Sequence, residues 1–558
     1  MRIQLLLAPL LLAAAACHSR DVASAAGPDG GTLVISTPGE PSIAVPLFAT
    51  TVSDMELGST IFERLAEPGP DLNTIGDRGY TPALADKWTW GPDSLSIAFH
   101  IDPRAHWQDG APVTARDVRF TFEAYRDPAS GSIVTPLLTG IDSVSVRDPA
   151  TAVFWFHRRY PQQFFDASYQ MYVLPAHLLS GMQHADIRTS SFARHPIGSG
   201  PFRFSRWIAG TLVEVVADTA RQRGRPRLNR IIWSVAPDYV ASVTRLLAGD
   251  ADFLEYLRPE AIAALRKHPE IKRLHYPSLS QGYLVFNLRD PDHAGRPNPI
   301  FGDRGVRRAL TMAVDRRRLV ANVFDSLGAV AIGPEVRAQS TADTTIPMLP
   351  FDPAHARALL DSLGWRDSNG DGVREKDGVP MRFTLMAPTA SAIRIRTTVL
   401  LQQMFAKVGA KAELQQLEFN LFQQREQQRK FDAAINSMTF DPSPATIRQV
   451  WGSEAARDPS GANIGSYENP AFDALLDSAV NQFDPARSKA LYRRAYATLI
   501  ADAPAIWLYE PVNTVGVNQR VHPVGMRADG WWVNLAEWYI PADERIARDR
   551  VGLASLSP

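Results

Sequence analysis

Apolar and polar positions change period repeatedly along this chain, and the changes mark its elements. Leu95, Ile97, Phe99 and Ile101 alternate with Ser96, Ala98 and His100, the period-two pattern of a strand with one buried face. Beyond it, Asp109-Gly110 signals a turn, and Pro112 keeps the residue before it extended. Thr114 predicts a helix N-cap with Asp117 completing a capping box, and Val118, Phe122 and Tyr125 mark one helical face. Tyr80 to Tyr125 therefore reads strand, turn, strand, turn, helix.

The same reasoning extends to the rest of the chain. Gly31 to Ser36 reads as a first strand, and Asp142–Val146 with Ala152–Phe156 as a hairpin around Asp148-Pro149. Phe202–Trp207, Ile231–Val235 and Gly282–Arg289 are further strands. Ser242 to Ala248 reads as a helix with Val243, Leu246 and Leu247 on one face and Gly249 as its stop. Asp303 caps a helix carrying Val306, Leu310, Ala313 and Val314, on which Arg307 and Arg308 read as solvated or ion-paired. Asp352-Pro353, Asn469-Pro470 and Asp484-Pro485 each place proline at a first helical position. Strands alternating with helices imply parallel βαβ units and hence a Rossmann-like α/β lobe. The Pro/Gly-rich stretch Asp290 to Gly302 reads as a lobe boundary.

Composition narrows the class. A chain of 558 residues suggests about three to four domain-sized units. Lys+Arg and Asp+Glu are 59 each, so no net field favours nucleic acid or an anionic membrane. The one cysteine, Cys17, follows Arg2 and the apolar run Leu5–Ala16, which is too short to stay across a bilayer but suits a signal peptide. Ala14-Ala15-Ala16-Cys17 resembles a bacterial lipobox, with Ala14 where leucine is usual; simple cleavage near Ala16 is the alternative. Acylated Cys17 would anchor the protein through lipid alone, with residues 18–30 as a flexible tether.

Three longer strings carry a family resemblance. Tyr80-Thr-Pro-Ala-Leu-Ala-Asp-Lys-Trp88, Asp109-Gly110 and Thr114-Ala-Arg-Asp-Val118 together resemble the signature of the family 5 solute-binding proteins, the receptors of peptide- and nickel-type ABC importers. Pro196-Ile-Gly198-Ser199-Gly200-Pro201-Phe202, Tyr283-Leu-Val-Phe-Asn287 and Ala503-Pro-Ala-Ile-Trp-Leu-Tyr509 match further family strings, so the resemblance runs from about Thr32 to Trp538. It implies a class II periplasmic-binding-protein fold, α/β, with two hinged lobes and an extra subdomain in the first. Residues 1–17 would be the signal peptide with its lipobox. Residues 31–62, 198–280 and 505–545 would form the core of lobe I, 63–197 its extra subdomain and 281–504 lobe II.

The resemblance also implies a function and a site. The protein is expected to capture peptides of the di- or oligopeptide class between its lobes and deliver them to an ABC permease in the inner membrane. It is expected to act as a monomer in the periplasm or cell envelope, without cofactor, metal or nucleic acid. In peptide-binding relatives an Asp at the place of Asp441, past the strand Phe431–Ile435, holds the ligand's α-ammonium. A carboxylate in a closed, water-poor cleft gains much from pairing a cation and costs much when left alone. Here Met438 stands where the family has tryptophan, and an Asp-Pro turn at a strand end is the alternative. Met438, Phe440 and Trp451 would line an apolar pocket or belong to the core, and Asn287, Gly198, Ser199 and Gly200 would lie at the cleft. Arg394 and Arg396 are candidates to neutralise a ligand carboxylate, a solvated face being the bland alternative.

Other chemistries find little support. Asp367-Ser-Asn369-Gly-Asp371-Gly372 copies the start of an EF-hand loop, but Gly378 stands where the bidentate Glu is needed, so a hairpin turn is the reading and calcium the alternative. Gly-x-Ser-x-Gly, His-Glu-x-x-His and Gly-Lys-Ser/Thr are missing, and the 12 histidines are scattered. The competing readings are a nickel-chelate, sugar or opine receptor on the same fold, then a hydrolase or an envelope chaperone.

Overall fold

The computed structural model describes residues 29–550; the expected signal segment, Cys17 and nearly all of the expected tether lie outside the described residues. Two large mixed sheets form the lobes. In the first, the strands run in the order Ile271–Tyr276, Asn513–Asn518, Phe253–Leu254, Thr32–Thr37, Arg230–Val235, Leu212–Ala217 and Phe202–Ile208. In the second the order is Gly328–Val330, Ala505–Pro511, Ser280–Phe286, Ala433–Thr439, Arg382–Pro388 and Lys411–Leu417. Parallel pairing is confined to Thr32–Thr37 with its two neighbours and to Arg382–Pro388 with its two neighbours; the other pairs are antiparallel. The lobes are thus less Rossmann-like than strand–helix alternation implies.

A four-stranded sheet, Ala85–Trp90, Ser96–Ile101, Thr151–Phe156 and Ile141–Asp148, is inserted between the first strand and its later partners. The period-two strand behaves as its pattern requires: Ile97, Phe99 and Ile101 are at most 1% exposed. Helix Ala115–Arg126 carries the anticipated capping box, with the Thr114 N–H donating to Asp117 Oδ2 at 2.7 Å.

The two places where the chain crosses between sheets differ from the expected boundaries. One crossing falls at residues 277–279, between Tyr276 and Ser280, and the other at Val512. They lie side by side, Asn513 Nδ2 donating to the Pro277 carbonyl at 3.1 Å. Ala505–Pro511 therefore belongs to the second sheet, not the first; a strand buried on both faces carries no alternation to say which sheet it joins. The Pro/Gly stretch 290–302 is a loop within the second lobe, closed on itself by the Arg289–Pro297 bridge.

Arg307 is not solvated. It is 5% exposed and donates to the carbonyls of Phe301 (2.8 Å), Asp502 (2.8 Å) and Ala503 (3.2 Å), so it satisfies the open C-terminal end of helix Pro485–Asp502. Arg308 reaches the Ala501 carbonyl of the same end at 2.9 Å.

Candidate functional site

A cavity of about 500 Å³ lies between the two sheets, within the usual size range for ligand sites. The first lobe supplies Arg64, Tyr169, Gln170, Glu255 and Tyr276; the second supplies Ser280, Thr439, Phe440 and Asp441. The lobe rims also touch away from the cavity. Arg158 Nη1 donates to Asn481 Oδ1 at 2.8 Å, Arg159 stacks over the Phe483 ring at 5.3 Å, and Arg396 approaches Glu260 to 3.8 Å.

Asp441 reaches the cavity because its strand ends there. Ala433, Ala434 and Ile435 are buried in the second sheet, and the Phe440 N–H closes onto the Leu279 carbonyl at 2.8 Å, beside the crossing. Asp441 Oδ1 then accepts from the Ser443 N–H at 2.7 Å, and Ser443 starts the turn Pro444–Thr446. Asp441 thus both orders a turn and lines the cavity, one oxygen fixing the turn that aims the group. Gln170, from the opposite lobe, lines the same cavity. Burial pushes the Asp441 carboxyl up to about 6; the Ser443 N–H, Gln170 and Arg64 oppose that rise and Asp529 adds to it.

Arg64 is the fixed cation of the site. Its guanidinium carbon sits 3.9 Å from the centre of the Tyr169 ring and 4.2 Å from that of Tyr172, and Nη1 lies 3.3 Å from Glu67 Oε2. Burial works against its charge, but Tyr172, Glu67, Tyr169 and Asp529 together hold its pKa above the ordinary value. Its Nε is buried with no hydrogen-bond partner. Asp529 is held by Arg527 through two hydrogen bonds of 2.9 and 2.8 Å and accepts from Tyr169 Oη at 3.2 Å. Among the described residues Asp441 has no such two-pronged arginine, which leaves it a carboxylate with capacity for an incoming cation.

The other sequence candidates divide. Phe440 and Asp441 line the cavity. Met438 packs on the second-lobe core, and Trp451, 2% exposed, lies within that core 5.9 Å from both Tyr283 and Trp507. Asn287 is fully buried, its Nδ2 clamping the Arg429 and Phe431 carbonyls at 2.9 Å each. Gly198, Ser199 and Gly200 stand against the end of helix Val52–Ile61, where a β-carbon on Gly198 would lie 1.8 Å from the Ile61 carbonyl oxygen. Their glycines serve close backbone packing. Arg394 bonds Ser437, and Arg396 belongs to the rim. In the EF-hand-like segment, Asp367 accepts from its own loop's Gly370 and Gly372 N–H groups, the antiparallel Arg366–Glu375 bridge closes the loop as a turn, and a second hairpin follows around Asp377-Gly378.

Arg64, Gln170 and Glu255 escaped the sequence reading. Each is a single polar residue in a segment without periodic signal, and only the packing of three separate segments brings them to one hollow.

The sequence model of the family described as "Bacterial extracellular solute-binding proteins, family 5 Middle" matches residues 79–457. The oligopeptide-binding protein AppA of Bacillus subtilis (strain 168) is 26% identical over 516 residues, covering 92% of each chain. Protein XP55 of Streptomyces lividans is 29% identical over 483 residues, covering 85% of this chain and 83% of its own. The solved structure of Bacillus subtilis AppA in complex with a nonapeptide superposes with a TM-score of 0.74 at 25% identity, over 92% of this chain and 99% of that one. NikZ of Campylobacter jejuni in complex with Ni(L-His) shares the fold, with a TM-score of 0.74 at 24% identity over 91% and 99% of the chains.

Proposed function

The chain belongs to the family 5 bacterial extracellular solute-binding proteins, and on that premise we propose that it captures short peptides in the interlobe cavity and delivers them unchanged to an ABC permease. The observation that carries this reading is Asp441: a carboxylate at the cavity wall, between both lobes, with its pKa raised by burial and without an arginine of its own. A peptide's α-ammonium removes the cost of that buried charge, and Arg64 stands in the same cavity for a carboxylate or carbonyl. Phe440 and the rings of Tyr169 and Tyr276 contribute to the cavity wall without demanding one side chain.

Hinge motion at residues 277–279 and Val512 opens and closes the cleft, and ligand selects the closed arrangement to the extent that it binds it better. The relatives support peptide as the class, AppA being named an oligopeptide-binding protein and solved with a nonapeptide. Within this reading the protein performs no chemistry on its ligand, acts as a monomer and is held at the envelope by acylated Cys17.

Titration calorimetry against a library of di- to pentapeptides tests the proposal. Saturable binding that is lost in Asp441→Ala is the expected result. A flat response across the library, with binding of a nickel chelate, sugar or opine instead, would replace peptide as the ligand.

A further inference from the structure

A second acidic centre lies on the first-lobe side of the cavity and takes no part in the reading above. Glu56, on helix Val52–Ile61, is 3% exposed, and its carboxylate accepts from two indoles at 3.1 Å each, Trp233 Nε1 on Oε2 and Trp531 Nε1 on Oε1. Glu255, just past strand Phe253–Leu254, adjoins Glu56 closely enough to couple to it electrostatically and lines the cavity, while its own Oε1 is buried with no partner. The groups facing the pair come from every element around it: Trp233 from strand Arg230–Val235, Trp531 from the C-terminal segment, Tyr256 beside Glu255, and Tyr276 from strand Ile271–Tyr276. None of them is cationic.

Two adjoining carboxyls in such a place hold one proton between them, which leaves one negative charge and an open acceptor oxygen. Burial, foremost, raises both groups above the ordinary glutamate value. Tyr256 and Tyr276 add ring faces, one at the pair and one close by, and a carboxylate beside aromatic faces is the chemistry that recognises an ammonium or guanidinium. Nature's usual remedy for an unoffset buried charge is a partner of opposite sign, and here the protein supplies none.

Resting on the reading that the cavity takes peptides, we propose that Glu255, backed by Glu56, forms a subsite for a basic side chain of the ligand, so that the protein prefers lysine- or arginine-containing peptides. Asp441 engages the chain's own ammonium from one lobe, and Glu255 engages the side-chain cation from the other.

Calorimetry with tripeptides of alanine carrying one lysine or one norleucine, placed at each position in turn, separates the two readings. The proposal expects the lysine peptide to bind at least about tenfold tighter at one position. Glu255→Gln should erase that preference. In the unaltered protein the preference should shrink as pH falls and both carboxyls take up a proton, which gives a readout that needs no variant. Equal binding of lysine and norleucine peptides overturns the subsite and leaves peptide capture standing; a preference that persists in Glu255→Gln does the same. Binding of neither peptide overturns both.

Discussion

Closing the lobes around Asp441 buries a carboxylate, and that burial makes closure sensitive to pH when no ligand is present. In the closed arrangement its pKa is pushed to about 6 from an ordinary 3.8. That difference, at about 1.36 kcal/mol per pKa step, sets a ceiling of about 3 kcal/mol on the penalty for closing over the ionised group. It is a ceiling because the side chain keeps contact with the open cavity. The sign follows from the raised value. Below about pH 4 the carboxyl is protonated in open and closed forms alike, and closure carries no penalty. As pH climbs through about 6, the closed form alone resists losing the proton, and the empty protein opens. The ceiling corresponds to a population shift of about a hundredfold. Asp441→Asn keeps an acceptor oxygen for the Ser443 N–H but cannot ionise. Small-angle X-ray scattering on ligand-free protein at about pH 4.5 and about pH 8 should then show the wild type expanding with pH and Asp441→Asn expanding distinctly less, the buried Glu56 and Glu255 keeping their own response of the same sign. Equal expansion of the two proteins would refute the assignment of this switch to Asp441.

Two predictions concern residues outside the cavity. Gly198→Ala places a β-carbon 1.8 Å from the Ile61 carbonyl oxygen and should lower stability by about 1–3 kcal/mol or more in urea melts, with peptide affinity of the folded fraction unchanged; lost affinity at unchanged stability would restore a ligand role to this turn. Arg520 is buried between Asp252 and Asp549, donating at 2.7, 2.9 and 2.8 Å and also reaching the Thr32 carbonyl at 2.9 Å. Arg520→Met strands those carboxylates and should cost about 3–5 kcal/mol, read as a lower unfolding midpoint, whereas a loss below about 1 kcal/mol would mean Arg548 alone satisfies Asp252.

Much of the fold was legible because it is written locally. The capping box at Thr114, the prolines after Asp352, Asn469 and Asp484, and the alternation from Leu95 to Ile101 each act over a few residues, and each element formed where its signal stood. Asp441 was legible for a different reason, through a spaced family string and a strand that ends just before it. The places of Trp451, Asn287 and Gly198 were not, because an indole, an amide or a glycine looks the same in a core as in a pocket until its neighbours are known.

What the sequence by itself determined is the elements with strong local signals, the family and one carboxylate at the end of a strand. Tertiary structure alone decided that Ala505–Pro511 joins the second sheet, that Arg307 closes a helix end, and that Arg64, Gln170 and Glu255 share a hollow with Asp441. The physical reason is range. Capping and alternation are settled between neighbours in the chain, whereas the charge balance of a cavity depends on groups hundreds of residues apart that meet only when both sheets have formed and the lobes face each other.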